Sequence, residues 1–344
     1  MRFKFDWFMK GMVLVVGLAF LWPEPGARGG WLHPELLNKA GVAFVFFLNG
    51  LALSFESLKE GARRWQAHLM VQACTYGLFP LLGLAMVHAG RDLLGPELAL
   101  GFFFLCALPS TVSSSVALTA AARGNVPVAV FNATLSSLIG VLLTPAWLAI
   151  AMHRTGSSFP IGPVVADLAL WLVLPLVLGQ LARPWGARFA QRHKKGLNMV
   201  DRATILLLLY TSFCDSVLEG VWTRYRPTVI LVALAGSAVL FAIALGAMSW
   251  ASRVTGLGRA ERVAVIFCGS KKSLAAGVPM AALIFGHDPA LGLLLLPLMI
   301  YHPLQLAIGG ALAQRWGQAA DAHDSGARAA KPAFPPHTAH TENP

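Results

Sequence analysis

The chain has 344 residues, of which 56% are hydrophobic and only 12% charged, with a net charge of +11. An average soluble domain carries about 25% charged residues, so a water-soluble enzyme, a disordered chain and a disulfide scaffold are all excluded. An all-α polytopic membrane protein remains.

A membrane-crossing helix needs about 20 mostly apolar residues. Ten such segments occur, at 8–22, 36–55, 67–89, 97–121, 126–152, 160–182, 204–221, 228–250, 263–285 and 291–313. The connections between them are too short for a soluble domain, so function must lie within the membrane. Lys and Arg gather on the cytoplasmic side of such proteins. With the N-terminus inside, nineteen cationic residues fall on the cytoplasmic side, and only Arg28, Arg91, Arg154, Arg224 and Arg226 fall outside. Both termini are therefore expected in the cytoplasm. The positive charge decorates loops between spans, which argues against a nucleic-acid partner. The expected partners are the lipid bilayer and a small molecule or ion.

No A-x-A-like cleavage site follows the first apolar segment, so it is expected to be a retained helix. Cys74, Cys106, Cys214 and Cys268 lie within apolar segments as packed thiols, with no metal-ligand spacing. No metal or cofactor is implied. From Gln314 the composition turns to Ala, Asp, His, Pro and Thr, which predicts a disordered cytoplasmic tail over 314–344. Its His323, His337 and His340 are too scattered for a metal site.

Ten segments divide as five plus five. An odd repeat must insert with opposite orientation each time, which gives an inverted repeat. Both halves carry an irregularity in their fourth segment. In the first half Pro109 interrupts the helix, and the hydroxyls of Ser110, Thr111, Ser113, Ser114 and Ser115 follow. In the second half Gly269 and Ser270 precede Lys271, Lys272 and Ser273, with Gly277 and Pro279 beyond. These two segments are expected to be discontinuous crossover helices. A lysine at mid-membrane costs about 2.5–3.5 kcal/mol, so the pair must face a cavity or partners. Interrupted helices supply both: unwound carbonyls accept hydrogen bonds, and half-helix N-termini present free amides. Elsewhere Asn132 and Thr134 lie close to this depth, Asp215 and His302 are candidates for a proton relay, and Asn49-Gly50 suits close packing.

The two interrupted segments resemble the crossover helices of the bile acid:sodium symporter superfamily, and more narrowly its SBF-like branch within the cation/proton antiporter clan. The carrying residues are Leu108-Pro109-Ser110-Thr111-Val112 with Ser114-Ser115, Ala122-Arg123-Gly124-Asn125, Ser136-Ser137-Leu138-Ile139-Gly140 with Thr144-Pro145, and Phe267 through Ala275. The opening Phe5-Asp6-Trp7-Phe8 also fits, and the likeness spans residues 5–313. It implies a core of segments three to five and eight to ten (67–159 and 228–313) moving against a panel of segments one, two, six and seven (1–66 and 160–227). It also implies a bacterial inner-membrane location.

In the sodium-coupled relatives a Glu, a Gln and an Asn on the ninth segment bind the ions; those positions fall here on Ile266, Ser270 and Lys271. Two fifth-segment ligand positions are Ala129 and Ala133, and the third-segment Gln position is Thr75, with Gln72 one turn earlier. The resemblance therefore implies a secondary transporter of a small organic anion or ion that is sodium-independent. A lysine ammonium would take the bound cation's place, either cycling a proton or holding an anion. Lys271 and Lys272 lie about 100° apart on a helix, so they do not share one role, and the sequence leaves open which faces the crossover. A sodium-coupled organic-anion symporter and a non-transporting regulator of ion homeostasis are the alternatives. An enzyme is not expected: Ser270-Lys271 lacks an oxyanion motif, and Lys272-Ser273 lacks the preceding Gly of a phosphate loop.

Overall fold

The computed structural model describes residues 7–52, 63–154, 161–224, 228–286 and 288–329, and among these every regular element is helical. Helices α1 (Trp7–Leu21) and α2 (Pro34–Ala52) come first. The next segment runs as α3 (Trp65–Ala73), a π turn over Cys74–Leu78, and α4 (Phe79–Ala89). Then follow α5 (Arg91–Ala107), α6 (Ser113–Ala121) and α7 (Val126–Arg154). Helices α8 (Ile161–Leu168) and α9 (Leu174–Arg192) are joined by a second π turn over Ala169–Val173. The chain continues through α10 (Lys194–Leu218), the short α11 (Val221–Arg224) and α12 (Thr228–Val254). It ends with α13 (Arg259–Gly269), α14 (Leu274–Phe285) and α15 (Leu291–Ala329).

Among the described residues, seven helical stretches are long and apolar enough to cross a membrane. The other three predicted segments are shorter or more polar. Helix α1 has 15 residues, α2 carries Glu35 and Lys39, and the fourth segment is split between α5 and α6. The molecule is an all-α polytopic membrane protein.

Both π turns have the same local cause. Each is followed two residues later by a proline, Pro80 or Pro175, which has no N–H to give. In the first turn the Phe79 N–H reaches back five residues to the Cys74 carbonyl. The next donor in that register would be Pro80, so the Thr75 carbonyl is left without a backbone partner.

The interior is filled by Phe79, Phe102, Phe103, Phe104, Phe241 and Tyr301, all fully buried. Helices α2 and α9 pack backbone to backbone. A Cβ on Gly50 would collide with the Leu176 carbonyl, and one on Gly179 with the Phe47 carbonyl, so small residues set this contact. The outward apolar face of α9, with Leu174, Val177, Leu178 and Leu181, is available to lipid.

The predicted tail boundary is corrected. Helix α15 runs past Ala313 to Ala329, because residues 314–329 are rich in helix-favouring Ala, Gln and Arg and the turns at Trp316 and Asp321 are held by neighbours. Arg123 pairs with Asp321 at 3.1 Å, Arg259 Nη2 donates to the Trp316 carbonyl, and the Trp316 ring lies 5.3 Å from that of Phe267. Residues 330–344, with His337 and His340, lie outside the described residues.

Candidate functional site at the crossing of two interrupted helices

Helix α5 stops at Ala107, because Leu108 precedes a proline and is pushed to extended geometry (φ −68°, ψ 155°). Helix α6 does not begin until Ser113. In the second half, α13 ends at Gly269, and Ser273 is extended and caps α14, its Oγ accepting from the Ala276 N–H at 3.1 Å. The two unwound stretches meet directly: Ser273 N donates to the Pro109 carbonyl at 2.9 Å.

Each interruption leaves carbonyls without helical donors, and the structure fills these from other segments. At the end of α13, Phe267 O accepts from Ser115 Oγ (3.1 Å) and Cys268 O from Ser110 Oγ (2.5 Å). Gly269 O faces Cys74 Sγ (3.3 Å), and Ser270 O accepts from the Tyr301 hydroxyl (2.7 Å). At the end of α5 the Ala107 carbonyl accepts from Thr144 Oγ1 at 2.8 Å. The Cys106 and Leu108 carbonyls go to Lys272, whose Nζ lies 2.7 Å from each. The orphaned Thr75 carbonyl is its third acceptor, at 2.9 Å.

Three acceptors need three N–H donors, which an ammonium has and a neutral amine lacks. The geometry therefore reads Lys272 as charged. The charge sits at the C-terminal, negative end of α5 and 4.2 Å from the centre of the Phe79 ring, a favourable face for a desolvated cation. Gln305 fixes the backbone behind it, accepting from Lys272 N at 2.9 Å and donating to Lys272 O at 2.8 Å.

Lys271 is equally buried but far less engaged. Among the described residues its Nζ reaches only the Ser114 carbonyl, at 3.4 Å, and it lies 5.1 Å from the centre of the Phe267 ring. Lys272 is thus the lysine that enters the crossing, which decides the point the sequence left open. Among the described residues, no carboxylate pairs with either lysine, and no group of His, Cys, Asp and Glu is arranged to hold a metal.

The predicted residues Pro109, Ser110, Ser115, Gly269, Ser270, Lys272 and Ser273 come together at the crossing. Ser114 Oγ donates to Thr111 Oγ1 at 3.2 Å beside it, while Ser113 is exposed. Asn132 faces its own helix and Gln72: its Nδ2 donates to Val128 O (3.0 Å), and its Oδ1 accepts from Gln72 Nε2 (3.4 Å). Thr134 is buried on the same helix, and none of the crossing bonds involves it. That role falls to Ser136, whose Oγ accepts from Ser110 N at 2.9 Å and whose carbonyl accepts from Tyr76 OH.

Asp215, a relay candidate, lies against Arg28. Its carboxylate accepts from Arg28 N (2.8 Å) and Arg28 Nε (3.4 Å), because the loop after α1 folds over this end of α10. His302 lies beside the crossing, with Nδ1 3.1 Å from Gln305 Nε2. Ser136, Thr144, Tyr301 and Gln305 were not among the predicted site residues. Ser136 and Thr144 lie in the stretches that carry the family resemblance, and Gln305 is a buried amide three residues after His302.

Comparison with known proteins places these features in context. The model of the SBF-like CPA transporter family matches residues 6–318. The chain is 39% identical to an uncharacterized protein of Pseudomonas aeruginosa over 93% of this chain and 95% of that one. It is 38% identical to a protein of Escherichia coli (strain K12) named "Putative symporter YfeH", over 90% and 92% of the two chains. It is 32% identical to the protein of Rattus norvegicus named sodium/bile acid cotransporter 7, again over 90% and 92%.

Proposed function

Because this chain belongs to the SBF-like CPA transporter family, we propose that it is a secondary transporter of a small organic anion or ion in which the Lys272 ammonium stands where a bound cation would otherwise sit. One observation carries this reading: a single ammonium satisfies three backbone carbonyls at the meeting point of two interrupted helices. Carbonyl oxygens converging at a helix break are the usual setting for a transported sodium ion or proton site. Here a tethered cation already fills it, and Ala129, Ala133 and Ile266 replace ligand positions of sodium-coupled relatives. Transport is then sodium-independent, with Lys272 holding the crossing together and Lys271 left over for the cargo.

The accompanying architecture is ten spans in a five-plus-five inverted repeat. Both termini are cytoplasmic in a bacterial inner membrane, and a core of 67–159 and 228–313 alternates access against a panel of 1–66 and 160–227. Asp215 is not part of the proton pathway in this reading, and His302 acts through Gln305 on the Lys272 backbone.

The names of the cotransporter 7 relatives favour a second reading, sodium-coupled uptake of a bile-acid-like anion. Purified chain in proteoliposomes separates the two. Uptake of radiolabelled small organic anions is expected to persist when sodium is replaced by choline, and to be lost in Lys272→Gln. Sodium-driven uptake that survives Lys271→Ala and Lys272→Ala overturns the proposal. No flux for any anion under either gradient points instead to a membrane regulator.

A further inference from the structure

A groove of about 460 Å³ runs between α6 and α15, lined by Leu118, Ala120, Ala121, Arg123, Gly310 and Asp321 among others. Its size suits a small organic molecule. Its Leu118 lining leads toward Lys271: a Cβ placed on Gly309 would lie 2.9 Å from Leu118 Cδ1 and 3.7 Å from Lys271 Nζ, so the Leu118 side chain and that ammonium approach the same point on α15. The Lys271 head is wholly buried and makes one long hydrogen bond, at 3.4 Å to Ser114 O. Among the described residues its remaining N–H donors meet no strong acceptor.

At the opposite end stands a second cation. Arg123 is more than half exposed and pairs at 3.1 Å with Asp321, itself exposed. Arg123 closes α6 with a positive φ of 56°, while Gly124 N reaches back to Thr119 O at 2.8 Å and Arg123 N to Ala120 O. Glycine is the ordinary choice at such a helix-ending position. Arginine holds it here, with its charge at the groove mouth.

We propose that this groove admits a small oxyanion, of carboxylate or sulfate type, from the mouth at Arg123 to Lys271, with the Leu118 side chain as the barrier between them. The anion exchanges with Asp321 for the exposed guanidinium and then gains the buried ammonium, whose spare donors it satisfies. Small residues at 120, 121 and 310 leave it room to pass. This rests on the transporter reading only in treating the groove as a route; binding of the anion is tested without transport.

The test places a cysteine at Gly310, where a Cβ meets nothing within 4 Å. The four native cysteines are buried, and the unsubstituted chain supplies their background. Full-length Gly310→Cys chain in nanodiscs is labelled with an anionic or a cationic methanethiosulfonate, each rate scaled to a free thiol. The anionic reagent is expected to react about fivefold faster, as Arg123 and Lys271 outweigh the single carboxylate of Asp321 and concentrate an anion there. Sodium sulfate at constant ionic strength is expected to slow that reaction. The preference should fall away in Gly310→Cys with Lys271→Gln and persist with Lys271→Arg. Equal scaled rates, or no protection by sulfate, overturn the inference, and both are read on a chain with neither lysine altered. Sodium-driven uptake independent of the lysines, by contrast, would sink the functional reading and leave this result standing.

Discussion

The Lys272 ammonium lies 2.7 Å from the carbonyl oxygen of Leu108, the extended residue just past the end of the first interrupted helix. A charge from the ninth segment thereby caps the broken fourth. Removing it leaves the Thr75, Cys106 and Leu108 carbonyls buried without a donor, at about 1–3 kcal/mol each. Lys272→Ala is expected to be the most destabilising substitution in this region, read as a lower Tm in detergent. Ammonium chloride should raise the Tm of that variant relative to choline chloride and leave the unsubstituted chain unmoved. Equal Tm values for the two salts in Lys272→Ala would show that the space does not behave as a cation site.

Gln305 grips both backbone groups of Lys272 with one side-chain amide. Gln305→Leu keeps the volume and loses both bonds, leaving a buried N–H and C=O at a cost of about 2–4 kcal/mol. The expected result is a clear fall in Tm and weaker uptake. Unchanged stability would mean that the Lys272 backbone is held by other means.

Ser273 caps α14 through Ala276 N. Ser273→Ala is expected to cost about 1 kcal/mol, seen as a small loss of Tm. Ser273→Thr retains the oxygen and should restore most of it. The backbone bond to Pro109 does not depend on the side chain, so the crossing itself should survive both changes.

Asp215 pairs with Arg28, whose side chain is 40% exposed. Such pairs contribute about 0–1 kcal/mol. Asp215→Asn should therefore leave both Tm and gradient-driven uptake nearly unchanged. A loss of proton-driven uptake with normal folding would restore Asp215 to a relay role.

Much of this arrangement was legible in the residues. Pro109, the hydroxyl cluster after it and the adjacent lysines mark two helix breaks, because a missing N–H and a mid-membrane charge each demand partners. The π turns were not visible, although Pro80 and Pro175 are their cause, since proline in an apolar run reads equally well as a kink. The extension of α15 was missed because residues 314–329 have the polar composition of a tail, and their helix is held by Arg123 and Arg259 from distant parts of the chain.

The sequence by itself determined that this is a helical membrane protein with one interrupted helix in each half, because apolar run length and missing backbone donors are local properties. Only the tertiary structure decided which lysine serves the crossing. The acceptors of Lys272 are backbone carbonyls of Thr75, Cys106 and Leu108. Every residue has such a group, so side-chain identity carries no trace of it, and only the packing of the third, fourth and ninth segments brings the three to one point. The same packing leaves Lys271, identical in chemistry and one residue away, without such a cage.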